Sequence, residues 1–552
     1  MSLALLNQVA RILAVIILVD LRPCIAADES KPIVDVRFDA PYQQIESSDG
    51  DEWAPTWGRD DILYTGNDDG SSFNGISTNG TPTNAMAFGK LVGNDPYELK
   101  GISLNAMRDF SESPRPGPEG ANWKILGSYT TEGASYRFVP CGPNSARLTY
   151  SCLASSTDEG KTWVRTEAVG SSIFPGTELS TPSFISFRPD LEAYLSGDKV
   201  NDFVYAASYS GLVDGEDRYV VARVAKQRLP RGNPADWSYL DSSWDWHGEP
   251  ERSSPQANSY FLGPDNANWK TTNTYSVDGV LYMFVMRCHY PWQSGDPKRR
   301  HIFRDSSIIK STDNGRSWSR PAADNYSKPM FPGRRFGTPY FVWYGKDGAA
   351  RVDNADRYVY AISNNGYFEA GDDYVLGRVL KAKLPNLSSA DWSFYRSGDG
   401  MDDGSWTDTL DAATPVLKNP GQSSMTGMTY IAGLRRYLMV VWHFRSVSFA
   451  TAILDKDLST TLEFFEAPKP WGPWVKVKTY NTRQLGWYTP IVGQRFQTVA
   501  DSATVKGFLY ATGLTSKPEG GLDPTLYKLN YMPITLSIRA LHHKDLDFVG
   551  AR

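Results

Sequence analysis

The sequence predicts an all-β fold, a β-propeller of seven four-stranded blades, and this prediction rests on composition and on internal repeats. The 552 residues include 17 Trp, 30 Tyr and 24 Phe, together with 47 Gly and 35 Pro. Aromatic side chains favour strands, whereas Gly and Pro favour turns. The composition therefore indicates many short strands and few helices.

Four segments of the chain occur twice, in the same order, which is the pattern of a repeated structural unit. Each copy contains two groups of short alternating strands separated by Gly, Asp and Asn turns. A group of about 50 residues with four strands is typical of one propeller blade. The repeated segments are Ala121–Lys124 and Ala267–Lys270, Ser156–Trp163 and Ser311–Trp318, Phe174–Phe184 and Phe331–Phe341, and Ala235–Tyr239 and Ala390–Phe394.

Seven blades account for residues 51–538, which the sequence predicts to be a single propeller domain, although six or eight blades also fit. Trp residues that recur at matching positions, such as Trp237 and Trp392, are predicted to lie in the core. The blades are predicted to begin near Trp53, Asn122, Thr181, Asn268, Thr338, Met425 and Tyr488.

The N-terminal residues 1–26 have the pattern of a secretory signal peptide. Arg11 supplies the positive charge, residues 12–21 form a short apolar run, and Ala26 is a small residue at the expected cleavage site. The apolar run is too short to span a bilayer. The sequence thus predicts a secreted or periplasmic protein with an N-terminal extension at 27–50, a C-terminal tail at 539–552 and no membrane association.

Three cysteines remain after the predicted cleavage, too few for a disulfide scaffold. Cys141 and Cys152 flank a short polar turn and could form a disulfide across a hairpin, which would leave Cys288 free. No Cys/His group has the spacing of a zinc site. The sequence predicts no cofactor and leaves a structural divalent cation open.

The charge balance limits the classes of partner. The chain has 57 Lys and Arg against 62 Asp and Glu, a formal net charge of −5. A mildly acidic chain has no overall attraction for nucleic acid or for an anionic membrane. The protein is predicted to be a monomer, and any anion-binding site must be local.

The segments Ser156–Trp163 and Ser311–Trp318 resemble the Asp box of the sialidase-like propeller superfamily. Asp313 can accept hydrogen bonds from turn N–H groups, and Gly315 can adopt a positive φ, as can their counterparts in the first copy. Residues 466–474 resemble a degenerate box of other glycan-cleaving propellers. The resemblance predicts Asp-box hairpins in this chain.

In that superfamily the Asp-box hairpins lie opposite the substrate face. The resemblance therefore implies a site built from the loops between second and third strands and from the beginnings of the first strands. Cations gather at these positions, and Arg pairs bidentately with carboxylate, although surface cations held by nearby Asp and Glu would give the same pattern. The predicted substrate-binding residues are Lys124, Lys270, Arg334, Arg445 and Tyr209, and the predicted carboxylate clamps are Arg287 and Arg335.

The same face offers two kinds of proton-transfer group. His289 and His443 end equivalent predicted strands, and His exchanges protons near neutral pH. Tyr367 is a third candidate. Asp68 and Asp69 could instead act as the paired carboxylates of a glycosidase, or could simply form a turn.

Three functions remain open. The favoured one is a polysaccharide lyase that resembles ulvan-lyase and rhamnosyl-glucuronan-cleaving propellers and acts on an anionic, uronate-containing polysaccharide or oligosaccharide by β-elimination. Its arginine clamps would neutralise the uronate carboxylate, and a His or Tyr would transfer protons. The second is a glycoside hydrolase of the same superfamily that uses the Asp pair; a sialidase proper is not indicated, because an Arg-Ile-Pro segment is absent. The third is a non-catalytic glycan-binding propeller.

Overall fold

The computed structural model of the chain is almost entirely β-structure. It describes residues 31–73, 86–105, 268–289, 300–321, 329–350, 357–396, 404–482, 485–516 and 522–541, together with shorter segments between 107 and 298, the longest of which is 216–257. The predicted signal peptide, the first copy of the Asp-box segment beyond residue 157 and Lys124 lie outside the described residues.

The described strands form six sheets. The largest joins two antiparallel groups through one parallel strand pair, and the resulting seven antiparallel groups are called sheets 1 to 7 in chain order. Sheet 1 contains Asp49–Asp51, Thr56–Trp57, Leu63–Ser72, Met86–Val92 and Lys100–Asn105, and sheet 2 contains Ser128–Thr130, Ser135–Pro140, Ser151–Ser156 and Val164–Arg165. Sheet 3 contains Ser183–Phe187, Phe203–Val213, Glu216–Ala225, Trp237–Leu240, Trp246–His247, Gln256–Ala257 and Phe261–Leu262. Sheet 4 contains Asn268–Val277, Val280–His289, Ile302–Ser311 and Phe331–Pro332. Sheet 5 contains Thr338–Trp343, Tyr358–Asn364, Gly371–Leu380, Trp392–Arg396, Ser405–Thr407 and Leu417–Ser423; sheet 6 contains Met428–Ile431, Arg436–Phe444, Thr460–Ala467 and Val475–Asn481; sheet 7 contains Gly486–Val492, Thr498–Asp501, Thr504–Ser516, Leu522–Asp523, Asn530–Ser537, Asp35–Phe38 and Gln43–Gln44.

Helices are few and short among the described residues. The α-helix Phe449–Asp455 follows the second strand of sheet 6. None of the described helices is long and apolar enough to cross a membrane. The 3-10 turns are Leu229–Arg231, Pro234–Asp236, Pro250–Arg252, Arg334–Phe336, Lys346–Gly348, Lys381–Asn386, Ser389–Asp391, Leu410–Ala412 and Pro524–Leu526.

Five of the sheets contact one another in succession, beginning between sheets 1 and 4. The backbone N–H of Thr271 in sheet 4 donates to both carboxylate oxygens of Asp68 in sheet 1, at 3.0 and 3.1 Å. Asn273 of sheet 4 donates to the Phe341 carbonyl of sheet 5 at 2.7 Å and accepts from the Phe341 N–H at 2.7 Å. Sheet 4 therefore lies between sheets 1 and 5.

The succession continues through sheets 6 and 7 and returns to sheet 1. Trp343 of sheet 5 pairs in parallel with Thr429 of sheet 6, and the Thr429 hydroxyl donates to the Val492 carbonyl of sheet 7 at 2.7 Å. The Tyr488 hydroxyl of sheet 7 lies 3.1 Å from a carboxylate oxygen of Asp51 in sheet 1. These five sheets therefore close a ring with their first strands toward its axis, which is the arrangement of a β-propeller.

Sheets 2 and 3 pack against each other rather than between sheets 1 and 4. Phe138 of sheet 2 stacks on Phe184 of sheet 3 at 4.3 Å and contacts Trp237 at 6.1 Å. Arg304 of sheet 4 donates to the Tyr219 hydroxyl of sheet 3 at 2.9 Å. The described contacts thus close a ring through five sheets, and the predicted number of seven blades stays a prediction.

The segment predicted as an N-terminal extension, residues 27–50, contributes to the ring. Asp35–Phe38 pairs with Asn530–Ser537 as the outer strand of sheet 7, and Asp49–Asp51 belongs to the first strand of sheet 1. A strand whose partner lies almost 500 residues away leaves no local signal in the sequence. The N-terminal strand therefore closes the ring by pairing with the C-terminal one.

The structure also bears on the Trp and Cys residues that the sequence singles out. Trp237 and Trp392 are 3% and 2% exposed, as their repeated positions predict. Cys152 is disulfide-bonded, and its partner lies outside the described residues. Cys288 is free and buried.

The turn at 311–319 shows why this segment has its residue types. The Asp313 carboxylate accepts from the Ser311 hydroxyl at 2.8 Å and from the Ser317 N–H and hydroxyl at 2.9 and 2.6 Å. Gly315 has φ 84° and donates its N–H to the Ser311 hydroxyl at 2.8 Å. Burial opposes ionisation of Asp313, but the hydrogen bonds from Ser317 and Ser311 outweigh it and lower the pKa to about 2.

Replacing Asp313 by Ala is expected to lower the free energy of unfolding by about 1–2 kcal/mol at neutral pH, because three hydrogen bonds are lost. A carboxylate with a lowered pKa stabilises the fold above its unfolded pKa, and this contribution disappears as the pH falls through the folded value. The difference between the two proteins should therefore shrink as the pH falls from about 5 to about 2. Urea unfolding at several pH values measures it, with Asp313→Asn, which keeps one acceptor, as the milder control. Equal stability of the Ala variant at pH 7 would contradict the role of this turn.

Candidate functional site

Several side chains, among them the predicted residues Asp68, Asp69 and Lys270, lie at one end of the ring. In a sheet with antiparallel order, the first strand begins where the second strand ends. Asp68 and Asp69 lie near the end of the second strand of sheet 1, whereas Lys270, Tyr340 and Tyr488 lie near the beginnings of first strands. These five residues therefore come to the same end of the ring axis.

Four carboxyl groups meet there, and we call Asp51, Glu52, Asp68 and Asp69 the carboxyl cluster. Their exposed fractions are only 8%, 3%, 0% and 8%. Burial raises the pKa of Glu52 well above its ordinary value, and the negative charges of Asp68 and Asp51 add to the effect. Burial likewise raises the pKa of Asp68, against the opposing charge of Lys270. Glu52 and Asp68 each influence the pKa of the other, and two neighbouring buried carboxyl groups favour a state in which only one of them is ionised.

Lys270 lies inside the carboxyl cluster. Its Nζ is 2.7 Å from an Asp69 oxygen, and the residue is 4% exposed. A buried ammonium beside a carboxylate favours the ionised form of that carboxylate. The positive charge that the sequence predicts for substrate binding is thus directed at Asp69.

Three tyrosines surround the cluster. The Tyr488 hydroxyl lies 3.1 Å from Asp51, and Tyr527, which is partly exposed, is also hydrogen-bonded to Asp51. The Tyr340 hydroxyl is buried without a hydrogen-bond partner among the described residues. Burial, and then the charges of the nearby carboxylates, raise the pKa of all three phenols well above its ordinary value. They are therefore neutral and can act as hydrogen-bond donors.

The backbone around the cluster is strained. Glu52, Asp69 and Thr489 have φ values of 58°, 49° and 46°. Residues with side chains rarely adopt this left-handed region, and a β-branched Thr does so least readily. Such strain costs about 1–3 kcal/mol per residue and concentrates at functional sites.

Three of the predicted cations at this end are neutralised by carboxylates. Arg287 pairs bidentately with Asp305, with Nε donating to Oδ1 at 2.8 Å. Arg335 lies 3.1 Å from an Asp373 oxygen. Arg445 is 3.6 Å from Asp457, with 78% of its side chain exposed. These three predicted cations of the described residues are therefore each paired with a carboxylate.

The structure places the proton-transfer candidates apart from the cluster where it describes them. His443 is half-buried beside Glu463 and Lys476, its Nδ1 is 3.4 Å from the Phe444 carbonyl, and burial lowers its pKa. The second histidine, His289, lies in a described strand, but its side chain is outside the described atoms, as is that of Tyr209.

Tyr367 is held between two arginines. Its ring lies 3.8 Å from the Arg300 guanidinium and 4.4 Å from that of Arg334. Arg300 forms an ion pair with Asp296 at 2.9 Å. Only 7% of Tyr367 is exposed, and its ring makes cation–π contacts with both guanidinium groups.

Sequence analysis missed half of the cluster. Asp51 and Glu52 precede Trp53, where the first blade was predicted to begin, and were assigned to the first residues of the domain without a functional role. A run of acidic residues just before a first strand is a usable signal, because such a strand begins at the ring axis. No group of three or more His, Cys, Asp or Glu residues in the described part of the chain is arranged to hold a metal ion.

No protein-family model and no curated protein matches the chain. Among solved structures, a putative hydrolase from Bacteroides ovatus is similar over 63% of this chain and 93% of its own, with 12% identity and a TM-score of 0.28. An α-L-arabinanase from Penicillium chrysogenum is similar over 75% of this chain and 93% of its own, with 10% identity and a TM-score of 0.22. A neuraminidase-like protein of A/flat-faced bat/Peru is similar over 92% of this chain and 97% of its own, with 10% identity and a TM-score of 0.23. Similarity at this level assigns neither a family nor an activity to the chain.

Proposed function

We propose that the protein is a carbohydrate-active enzyme that hydrolyses glycosidic bonds with the carboxyl cluster. The observation that carries the proposal is the buried pair Glu52 and Asp68, whose pKa values are raised, beside Asp69, which is ion-paired with Lys270. Glycoside hydrolysis needs one carboxyl group that is protonated at working pH and a second that is ionised. The two environments within this cluster supply both states.

The chemistry follows from these protonation states. The Glu52–Asp68 pair donates its proton to the glycosidic oxygen as the bond to the anomeric carbon breaks. Asp69, kept ionised by Lys270, stabilises the positive charge that develops on the sugar, or activates the attacking water. Water then completes the reaction, and the proton that it releases restores the pair.

Hydrolysis is favoured over the elimination that the sequence suggests, because of the arginines. A lyase needs cations that are free to neutralise the uronate carboxylate. Arg287 and Arg335 are already paired with Asp305 and Asp373. His443 lies beside Glu463 and Lys476 and not in the carboxyl cluster.

The test is incubation of the full chain with a panel of neutral and uronate-containing polysaccharides, followed by two measurements. We expect new reducing ends without the ultraviolet absorbance of unsaturated uronate ends. Unsaturated ends that appear in step with reducing ends would replace hydrolysis by elimination. Binding without any product would favour the non-catalytic alternative.

A further inference from the structure

Buried polar atoms without partners gather around the carboxyl cluster. Within the described residues, Glu52 Oε2, Asn67 Oδ1, the Tyr340 hydroxyl and the Thr489 hydroxyl have no hydrogen-bond partner, and their residues are 0% to 3% exposed. Roughly 90% or more of buried polar groups in folded proteins are hydrogen-bonded. Several exceptions at one end of a ring axis point to a ligand that supplies the missing bonds.

The residues place these atoms on different sides of the axis. Glu52 and Asn67 belong to sheet 1, Tyr340 to the first strand of sheet 5, and Thr489 to the first strand of sheet 7. Thr271 donates its N–H to Asp68, and the hydroxyl of the adjacent Thr272 donates to the carbonyl of Pro339, which precedes Tyr340, at 2.6 Å. Burial, and then the charges of nearby carboxylates of the cluster, raise the pKa of Tyr340. The Tyr340 hydroxyl is therefore near the carboxyl cluster and approaches it from another sheet of the ring.

The atoms also define the chemistry of the ligand. The carboxylate and amide oxygens accept hydrogen bonds, and the two hydroxyls can donate or accept. A molecule with several neighbouring hydroxyl groups matches this set. The cluster brings four carboxyl groups together with a single lysine, Lys270, so that an additional negative charge on the ligand would be repelled.

We propose that this end of the ring binds one uncharged sugar residue, and that the Tyr340 hydroxyl contacts it. The proposal rests on the proposed function and gives its substrate class, in place of the uronate that the sequence suggests. The Tyr340 ring packs in the core, whereas its hydroxyl has no hydrogen-bond partner among the described residues, so that the hydroxyl can serve the sugar without serving the fold.

The test compares matched disaccharides that differ only in a carboxylate at C6, namely galactobiose with digalacturonate and cellobiose with its diglucuronate counterpart. Isothermal titration of the full chain should show at least one neutral member binding at least tenfold more tightly than its uronate counterpart. Tyr340→Phe should weaken that binding about tenfold without lowering the thermal unfolding midpoint.

The matched control is Tyr374→Phe. Tyr374 is equally buried, and its hydroxyl donates to the Ser424 carbonyl at 2.6 Å. This variant should lower the unfolding midpoint and leave the sugar affinity unchanged. The inference would be overturned if a uronate member bound more tightly than its neutral counterpart, or if no neutral member bound. It would also be overturned if Tyr340→Phe left the sugar affinity unchanged. Binding as expected with no cleavage would instead refute hydrolysis alone, so the two failures are distinguishable.

Discussion

Asp68→Asn is expected to lower kcat for glycoside hydrolysis by about 10³-fold, because a positioned general acid typically contributes 10²- to 10⁴-fold. The Asn side chain can keep the hydrogen bond from the Thr271 N–H, but it cannot share or donate the carboxyl proton. Glu52→Gln should have a comparable effect, since the proton belongs to the pair. Initial rates of reducing-end release on the best neutral glycan found in the panel provide the measurement.

The matched control is Asp373→Asn, which removes a carboxylate that pairs with Arg335 and has 20% of its side chain exposed. It should retain kcat within a few-fold, because Asp373 is not part of the carboxyl cluster. An equal loss in both variants would contradict the assignment of the acid to Glu52 and Asp68. If only Asp373→Asn lowered kcat, the result would favour a catalytic role for Arg335 and an elimination mechanism.

The pH dependence offers an independent check on the same pair. A carboxyl group whose folded pKa is raised stabilises the fold below its unfolded pKa, and this contribution is lost as the pH rises through the folded value. The wild-type protein should therefore lose stability as the pH rises above about 4, and Asp68→Asn should lose less. The wild-type kcat/KM should also fall as the pH rises through the raised pKa of the pair.

The sequence predicted the sheets better than their arrangement. Two of the seven predicted blade starts, Asn268 and Thr338, coincide with strand starts, because repeats and turn residues are local signals. The contact of Asp68 with Thr271, which makes sheets 1 and 4 neighbours, is separated by 203 positions along the chain. Spatial order of this kind depends on which faces pack together, and no local pattern records it.

The candidate site shows the same difference between residue types, which the sequence reveals, and contacts between residues, which it does not. The sequence offers Asp68 and Asp69 either as the paired carboxylates of a glycosidase or as a turn, and the structure buries both of them in the carboxyl cluster. The cations were recognised as residue types, but their partners were not: Asp305 faces Arg287 from the adjacent strand, and the side-chain direction in a strand reverses with a one-residue shift of register. The net charge of a site therefore cannot be deduced from its positively charged residues alone.

Arg436→Met is expected to have the largest effect on stability, a loss of about 3–5 kcal/mol. Arg436 and Glu466 are 6% and 1% exposed. Two hydrogen bonds join them, from Nε to Oε2 at 2.6 Å and from Nη2 to Oε1 at 2.8 Å. The Ile33 N–H also donates to Oε2 at 3.4 Å, so the pair connects sheet 6 to the N-terminal segment that closes the ring. Removing Arg436 leaves a buried carboxylate without its counter-charge, which costs more than the lost contacts themselves.

Urea unfolding followed by tryptophan fluorescence measures this loss, with Arg445→Met as the control. Arg445 has the same charge, but its side chain is 78% exposed and lies 3.6 Å from Asp457, so its loss should cost less than about 1 kcal/mol. The double variant Arg436→Met, Glu466→Leu should recover much of the stability, because no charge then remains buried. If the double variant were as unstable as Arg436→Met, the loss would arise from packing around the Arg436 stem and not from the unpaired carboxylate. The recovery therefore separates an electrostatic cause from a steric one at the point where the ring closes.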